Sequence, residues 1–514
     1  MEEKTQEMFG TQVLQLRIEG HPFHYEMENL CRLFFPYHKM EVFTGEEPSE
    51  PAGLCVDTKL RRLADGVQIW VRFSMDGDTS TAEEFVPGDA SEKELERRMA
   101  VVLYGLLTGA CGFTPKWGIL TGVRPIKLMR RLCEESGEVE ASRYFREDLL
   151  VSPEKTELSL ITMRNEQKIL SLSRPESFSL YVSIPFCPTR CSYCSFVSTT
   201  VERAVKLMPD YLPLLCRELA VTAQIAKDLN LRLESVYIGG GTPTTLSAEQ
   251  LAVLIDTITE QFDMSTCREF TVEAGRPDTI TAEKLQAMRP RGVTRISINP
   301  QTLNDHVLET IGRRHTAAQT LDAFDLARRF GYDDINMDLI VGLPEDTLES
   351  FQNTLDKILE LDPESVTIHT LALKRSARLN QEENALFTRD AELAARMLED
   401  GDAKLLRAGY APYYLYRQSR MVGNLENTGW AKPGKESLYN VYIMDETHTI
   451  LACGAGAVTK VRDPYSDRLK RIFNFKYPYE YNSRYEEMLT RKEQVKAIYE
   501  EYSQSRTSLF SGGK

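Results

Sequence analysis

No stretch of this 514-residue chain is both long and apolar enough to cross a membrane as a helix. The longest apolar run, Ala100 to Phe113, is interrupted by Tyr104, Thr108 and three glycines. It falls short of the roughly 20 residues a span requires, and reads as a core helix. Also absent is an N-terminal segment with positive charge, an apolar run and a small-residue cleavage site, so the chain is expected not to be secreted. Positive charge is in deficit: 62 Lys and Arg stand against 76 Asp and Glu, a net charge of −14 at pH 7. That balance disfavours nucleic-acid binding by phosphate neutralisation. Histidine is scarce, and His21, His24 and His38 have no metal-ligand spacing with any cysteine. A hydrophobic content of 42% beside 27% charged residues excludes disorder, and the length implies two or three domains.

Cysteine is not scarce. Ten in a chain without secretion signals mean reduced thiols and metal ligation before disulfides, which places the protein in the cytoplasm. Three of them, Cys187, Cys191 and Cys194, fall within eight residues, directly after the apolar run Leu180 to Ile184. Thiolates are soft ligands suited to zinc or iron–sulfur clusters. Three ligands are one too few for a closed zinc site, and no fourth Cys or His lies nearby, the next cysteine being Cys216 in an expected helix. The economical reading is a four-iron cubane with three irons held and one open to a small molecule. A zinc knuckle with a distant fourth ligand and three unrelated thiols are the alternatives.

Residues 1–170 differ in texture from the remainder of the chain. Val13 to Ile18 and the alternating Val67, Ile69, Val71 and Phe73 suggest strands, and Ser91 to Thr108 a helix with a Ser91/Glu94 capping box. From Leu180 the chain alternates strand and helix. Strands are expected at 180–184, 235–238, 270–273, 294–299, 334–341 and 365–371, with helix starts at Ser247/Gln250, Thr316/Gln319 and Asp346/Glu349. Gly312 and Gly331 read as helix stops. Six βα units with short connections imply a parallel sheet and a partial six-unit relative of the TIM barrel. The fold class is therefore α/β: an N-terminal α+β accessory domain (1–170), the partial (β/α)6 barrel (171–380) and a small C-terminal domain with its tail (381–514).

Barrels of this kind place their chemistry at the C-terminal strand ends. There lie the cysteine loop, Gly239-Gly240-Gly241-Thr242-Pro243-Thr244, Glu273, Asn299, Gln301 and Asp338. After the sixth strand and a helix comes an aromatic, turn-rich segment with Tyr410, Tyr413, Tyr414, Tyr416, Trp430, Tyr439 and Tyr442, followed by Cys453-Gly454-Ala455-Gly456-Ala457. It reads as a small C-terminal domain able to cover the barrel mouth, its tyrosines equally suited to core packing and to facing a substrate.

The C-x3-C-x2-C spacing, with Tyr193 before the last cysteine, resembles the radical S-adenosylmethionine (SAM) superfamily. There the amino and carboxylate groups of SAM chelate the open iron, and one electron from the cluster cleaves SAM to methionine and a 5′-deoxyadenosyl radical. With the Gly-Gly-Gly-Thr-Pro-Thr turn, Arg295 to Gln301 and Asp338-Leu339-Ile340-Val341-Gly342-Leu343-Pro344, the chain resembles the HemN-like family of oxygen-independent coproporphyrinogen III oxidases. Trp117 to Pro125, Gly423 to Asn427 and Ala431 to Gly434 look most like its HemZ branch, the coproporphyrinogen dehydrogenases.

The resemblance implies a [4Fe–4S] cluster on Cys187, Cys191 and Cys194. It places Tyr181 near SAM, Tyr193 by the adenine, Gly240, Gly241 and Thr242 in the SAM-contacting turn and Glu273 as an acidic contact. Gln301, Arg313, Asp338 and Ala372 resemble contacts to a second SAM. The implied reaction is oxidative decarboxylation of coproporphyrinogen III propionates to vinyl groups, giving protoporphyrinogen IX, with Arg313, Arg375 and Arg378 as candidates for the substrate carboxylates. A monomer is expected, with an electron donor such as flavodoxin or ferredoxin and neither nucleic acid nor membrane as partner. Two departures lie beside the cluster: Ser183 replaces a histidine, and Ser195-Phe196 replaces a glycine and a further cysteine. The rivals are a haem-binding chaperone of the same family, which carries a His-Asn pair where this chain has Tyr439-Asn440, and a radical SAM methyltransferase or haem-opening enzyme.

Overall fold

The computed structural model describes residues 13–36, 38–45, 53–194, 198–372, 387–418 and 421–511. A five-stranded sheet of order β2-β1-β3-β4-β5 opens the chain, built from β1 (Leu14–Glu19), β2 (Met40–Thr44), β3 (Leu54–Arg62), β4 (Gly66–Met75) and β5 (Asp78–Pro87). Period-2 patterning decides its faces: Leu14, Leu16 and Ile18 in β1 and Val67, Ile69, Val71 and Phe73 in β4 are buried against the helices His24–Phe34 and Glu92–Cys111. Ser91 caps the second helix by accepting from the Glu94 amide at 3.2 Å. The return half of the expected capping box is missing, because the Glu94 carboxylate is taken by Arg97 and Arg98. That helix stops at Gly112, whose φ of +64° suits a left-handed cap.

A second and larger core begins at Trp117 and runs to Tyr502. Its centre is six parallel strands that pair in sequence order: β6 (Ser177–Ile184), β7 (Arg232–Gly240), β8 (Glu269–Gly275), β9 (Arg295–Ile298), β10 (Ile335–Val341) and β11 (Ser365–Thr370). All six match the expected strands. Being buried on both faces, they read as near-continuous apolar runs, and any polar residue in them stands out. Capping boxes start the helices Ala248–Gln261 and Ala317–Arg329 as expected. The helix Leu348–Leu361 starts one residue later than expected, with the Thr347 hydroxyl as its cap, while Asp346 accepts from the Thr347 amide.

The C-terminal residues extend this sheet at both edges. On one side β11 pairs antiparallel with β13 (Asn427–Ala431), which pairs with β12 (Ala411–Tyr416); on the other, β6 pairs parallel with β14 (Thr449–Cys453), followed by β15 (Val458–Arg462) and β16 (Leu469–Phe473). The result is a partial barrel set in an eleven-stranded sheet.

The end of the aromatic segment docks away from the mouth. Glu269, the first residue of β8 and hence at the barrel floor, accepts from the Leu438 amide at 2.6 Å and from the Ser437 hydroxyl at 3.1 Å. The helix Leu438–Asp445 is thereby docked from below, and its Tyr439, Asn440, Ile443 and Met444 face the interior.

Residues 117–170 share the barrel's core. Trp117 Nε1 donates to Glu426 Oε2 at 2.7 Å, Lys155 pairs with Glu426 and with Asp402 (3.3 Å), and Asn165 Nδ2 donates to the Pro412 carbonyl at 2.9 Å. Arg417 clamps the Leu120 and Gly122 carbonyls and, at 3.0 Å, that of Asn424. These contacts tie residues 117–170 to residues 402–426, and the fully buried residues pass from one core to the other between Leu107 and Trp117. Among the described residues no helix is long and apolar enough to cross a membrane.

Candidate active site at the strand ends

Residues from all six barrel strands, or from the loops that leave them, line one cavity of about 480 Å³. Every residue singled out from the sequence as a cluster or SAM contact is on its wall: Tyr181, Cys187, Cys191, Tyr193, Cys194, Gly240, Gly241, Thr242, Glu273, Gln301, Arg313, Asp338 and Ala372. Arg375, Arg378, Ser195 and Phe196 lie outside the described residues.

The cysteine loop leaves β6 through Phe186–Cys187, which pairs in parallel with Thr199–Thr200. The Ser192 amide is held by the Ile311 carbonyl at 3.0 Å and the Cys194 amide by that of Cys191 at 3.2 Å. All three cysteines are half-buried. The glycine turn after β7 presses against them: the Gly241 and Thr242 amides donate to the Ile184 and Phe186 carbonyls at 2.8 and 2.7 Å, and Thr242 Oγ1 lies 3.6 Å from Cys187 Sγ. A side chain at Gly241 would place its Cβ 2.6 Å from the Phe186 oxygen and 3.0 Å from Cys187 Sγ, so only glycine permits this approach. Burial raises the Cys187 thiol pKa, against bonds from Ser198 and Thr242.

Two carboxylates face the cavity in different states. Glu273 is pushed up to about 7 by burial, with Asp338 adding to the rise, against a hydrogen bond from Tyr237 and the charge of His369. For Asp338 burial also works upward, but His369, Asn336 and Thr367 outweigh it and hold the carboxyl below its ordinary value. His369 Nε2 stands 3.6 Å and Asn336 Nδ2 2.7 Å from the Asp338 oxygens. Asn336 is itself fixed by Ser297, Ser365 and Thr367 at 2.8, 3.1 and 3.1 Å. Arg313 is buried, donates to the Asn299 carbonyl and bonds Tyr193 and Cys191. Among the described residues Arg313 and Asp338 make no ion pair with each other. Gln301 sits at φ +71°, rare for a side chain of its size, and bridges to Leu339 so that its amide meets the Asp338 carbonyl at 2.9 Å.

An aromatic wall closes the inner side. Tyr181, Tyr237 and Tyr439 stack with centroids 6.3, 6.0 and 4.4 Å apart and interplanar angles of 20° or less. Ser183 lies outside the wall and donates its hydroxyl to the Ala455 carbonyl at 2.8 Å. Sequence reasoning missed Tyr237, Asn336, His369 and Arg276. The first two had a signal, since Tyr237 is in register with Tyr181 and Asn336 precedes Asp338 by two on the same strand face. Arg276 and His369 had none, because the groups that tie them to the cavity, Thr189 and Asp338, are remote in the chain.

The description "Radical SAM superfamily" belongs to a family model that matches residues 181–358. The "oxygen-independent coproporphyrinogen-III oxidase-like protein HemZ" of Bacillus subtilis (strain 168) is 36% identical over 484 residues, spanning 92% of this chain and 96% of that protein. The chain belongs to the HemN-like radical SAM family, on its HemZ branch. Within this family the "heme chaperone HemW" of the same organism is 35% identical over 283 residues, 54% of this chain and 70% of that one. The solved coproporphyrinogen III oxidase HemN from Escherichia coli is similar at 24% identity and a TM-score of 0.49, over 63% of this chain and 72% of that one.

A HemN-like radical SAM protein implies a [4Fe–4S] cluster and SAM, and the residues fit both. Three thiols on one short loop share a cavity wall with a glycine turn whose lack of side chains lets the loop pack directly against it. Among the described residues no three His, Cys, Asp or Glu side chains are gathered as ligands of a single ion. A cubane does not need that, because each thiolate binds a different iron.

Proposed function

We propose that this protein is a radical SAM oxidoreductase that decarboxylates two propionates of coproporphyrinogen III without oxygen, leaving vinyl groups and giving protoporphyrinogen IX. The observation that carries the reading is the single cavity in which the three cysteines, the glycine turn, two carboxylates and a buried arginine converge at the strand ends.

In this reading Cys187, Cys191 and Cys194 hold the cluster. Gly240, Gly241 and Thr242 offer backbone to SAM, Tyr193 lies by its adenine, and Tyr181 and Glu273 complete that contact. When bound, the cluster and SAM would supply a 5′-deoxyadenosyl radical to take one hydrogen atom from the propionate chain; loss of carbon dioxide would then form the vinyl group and pass one electron to a one-electron acceptor. Gln301, Arg313, Asp338 and Ala372 hold a second SAM. The ionised Asp338 suits an ammonium group, and the Arg313 guanidinium suits a carboxylate. The tyrosine stack keeps water and stray hydrogen donors from the reacting carbon. A one-electron donor of the flavodoxin or ferredoxin class reduces the protein, and residues 1–170 form the accessory domain, those up to about Cys111 with a core of their own.

The similarity to HemW favours a second reading, a haem-binding chaperone. Against it, Tyr439, the nearest counterpart of a haem ligand, is stacked inside the barrel, and burial raises its phenol pKa well above the ordinary value. A phenol kept neutral is a poor iron ligand. Incubating anaerobically reconstituted protein with coproporphyrinogen III, SAM and reductant separates the two. Masses lower by one and then two equivalents of carbon dioxide plus two hydrogen atoms are expected; intact substrate with stoichiometric haem binding would overturn the oxidase reading.

A further inference from the structure

Arg276 is 3% exposed, and the proposed reaction gives it no role. It follows β8 by one residue, in a tight turn held by the Thr279 hydroxyl on its own carbonyl at 2.8 Å and by Lys284 Nζ on the Thr244 and Thr279 carbonyls at 2.6 and 3.0 Å. Its guanidinium faces two ways. Nε and Nη2 form a fork on the Asp278 carboxylate at 2.9 and 3.0 Å; Nη1 crosses to the cysteine loop, donating to Thr189 Oγ1 at 3.0 Å and lying 3.9 Å from Cys191 Sγ.

We propose that Arg276 is a positioning residue for the cluster: it clamps the Thr189 to Cys191 part of the loop to the end of β8, and it keeps a fixed positive charge beside the Cys191 sulfur. The proposal rests on the reading of Cys187, Cys191 and Cys194 as cluster ligands.

The geometry favours this over a purely structural ion pair. Burying a guanidinium is costly even when paired, and the Arg276–Asp278 fork alone joins residues of a single turn that backbone bonds already close. What the side chain adds is a link from the end of β8 to a different element, a loop fastened on its other side by Ser192 to Ile311, Thr189 to Gly312 and Arg313 to Tyr193 and Cys191. Arginine suits the task because its rigid fork anchors on Asp278 while the remaining N–H groups point elsewhere. Reduction adds negative charge to an iron–sulfur centre, so a cation beside one ligand favours the reduced form and raises the potential. Arg313 also reaches Cys191, so removing Arg276 should weaken this effect without abolishing it.

The test compares the full chain with R276Q and R276K. Without the cluster, hydrogen exchange at the Ser192 and Cys194 amides should be about tenfold faster in both variants, because neither keeps the fork. After anaerobic reconstitution, EPR-monitored redox titration should place the R276Q cluster at a more negative potential than wild type, with R276K close to wild type because the charge remains. Unchanged exchange and unchanged potential in R276Q would overturn the proposal. Should R276Q fail to fold, D278N removes the anchor and keeps the cation; faster loop exchange is then expected, and its absence overturns the clamp. If the wild-type protein takes up no iron, the ligand reading falls, while the exchange comparison on that same protein still decides the clamp.

Discussion

Two cysteine-bearing turns leave the C-terminal ends of neighbouring parallel strands, β6 and β14, and they have opposite fates. After β14, the turn Cys453 to Gly456 is saturated. The Gly454 amide donates to Glu218, its carbonyl accepts from Asn474, the Ala455 amide donates to Tyr211 and its carbonyl accepts from Ser183, each at 2.8 Å. Cys453 is fully buried and its thiol is pushed up to about 12, by burial first and by Glu218 next. After β6, the cysteine loop keeps its thiols half-exposed on a cavity wall that Arg313 and Asp338 also line without pairing with each other. A turn whose polar groups are all spent is scaffold. One whose groups are held apart and left facing a cavity is prepared for something to bind.

The largest effect should fall on iron. Replacing any of Cys187, Cys191 or Cys194 by alanine should abolish uptake on anaerobic reconstitution, while Cys453→Ala should leave iron content unchanged. Loss of iron in Cys453→Ala would erase the distinction between the two turns.

Glu218→Ala should harm the scaffold turn. It leaves Lys492, 2.8 Å from Glu218 Oε1 and fully buried, without its carboxylate, and removes partners from Gly454, Tyr481 and Asn474. A loss of about 3–5 kcal/mol is expected in denaturant unfolding. A cost no larger than that of an average surface change would mean the network contributes little.

At the cavity the effect should move from stability to binding. Asp338→Ala and Arg313→Ala each remove a charge-assisted contact of about 1.5–3 kcal/mol, equivalent to roughly 10- to 150-fold weaker SAM binding by calorimetry on protein of full cluster content. Unchanged affinity and stoichiometry in both would refute the second SAM and leave the one at the cluster.

The smallest effect concerns pH. The Glu273 carboxyl is raised from 4.5 to about 7 in the folded protein, so in that window the folded form holds a proton the unfolded form has released. Stability contributed by this group is therefore present below about 4.5 and lost as pH rises through about 7. Relative to wild type, Glu273→Gln should lack that decline, a difference on the order of a few degrees in melting temperature. Parallel pH profiles would show that Glu273 does not carry it.

The six strands and the cavity residues were legible in the sequence for the same reason. In strands buried on both faces, a Glu273 or Asp338 is conspicuous, and parallel topology sends all such ends to one side. What was not legible depends on partners far apart in the chain. Trp117 meets Glu426 across 309 positions and Arg130 meets Asp445 across 315, so neither the shared core of residues 117–170 nor the helix docked on Glu269 leaves a local trace.

The most direct test of the cavity as a cofactor site is the metal content of wild-type protein purified and reconstituted without oxygen. The account predicts about four irons and four sulfides per chain, with thiolate-to-iron charge-transfer absorption that SAM perturbs. Stoichiometric zinc with no iron taken up would contradict it.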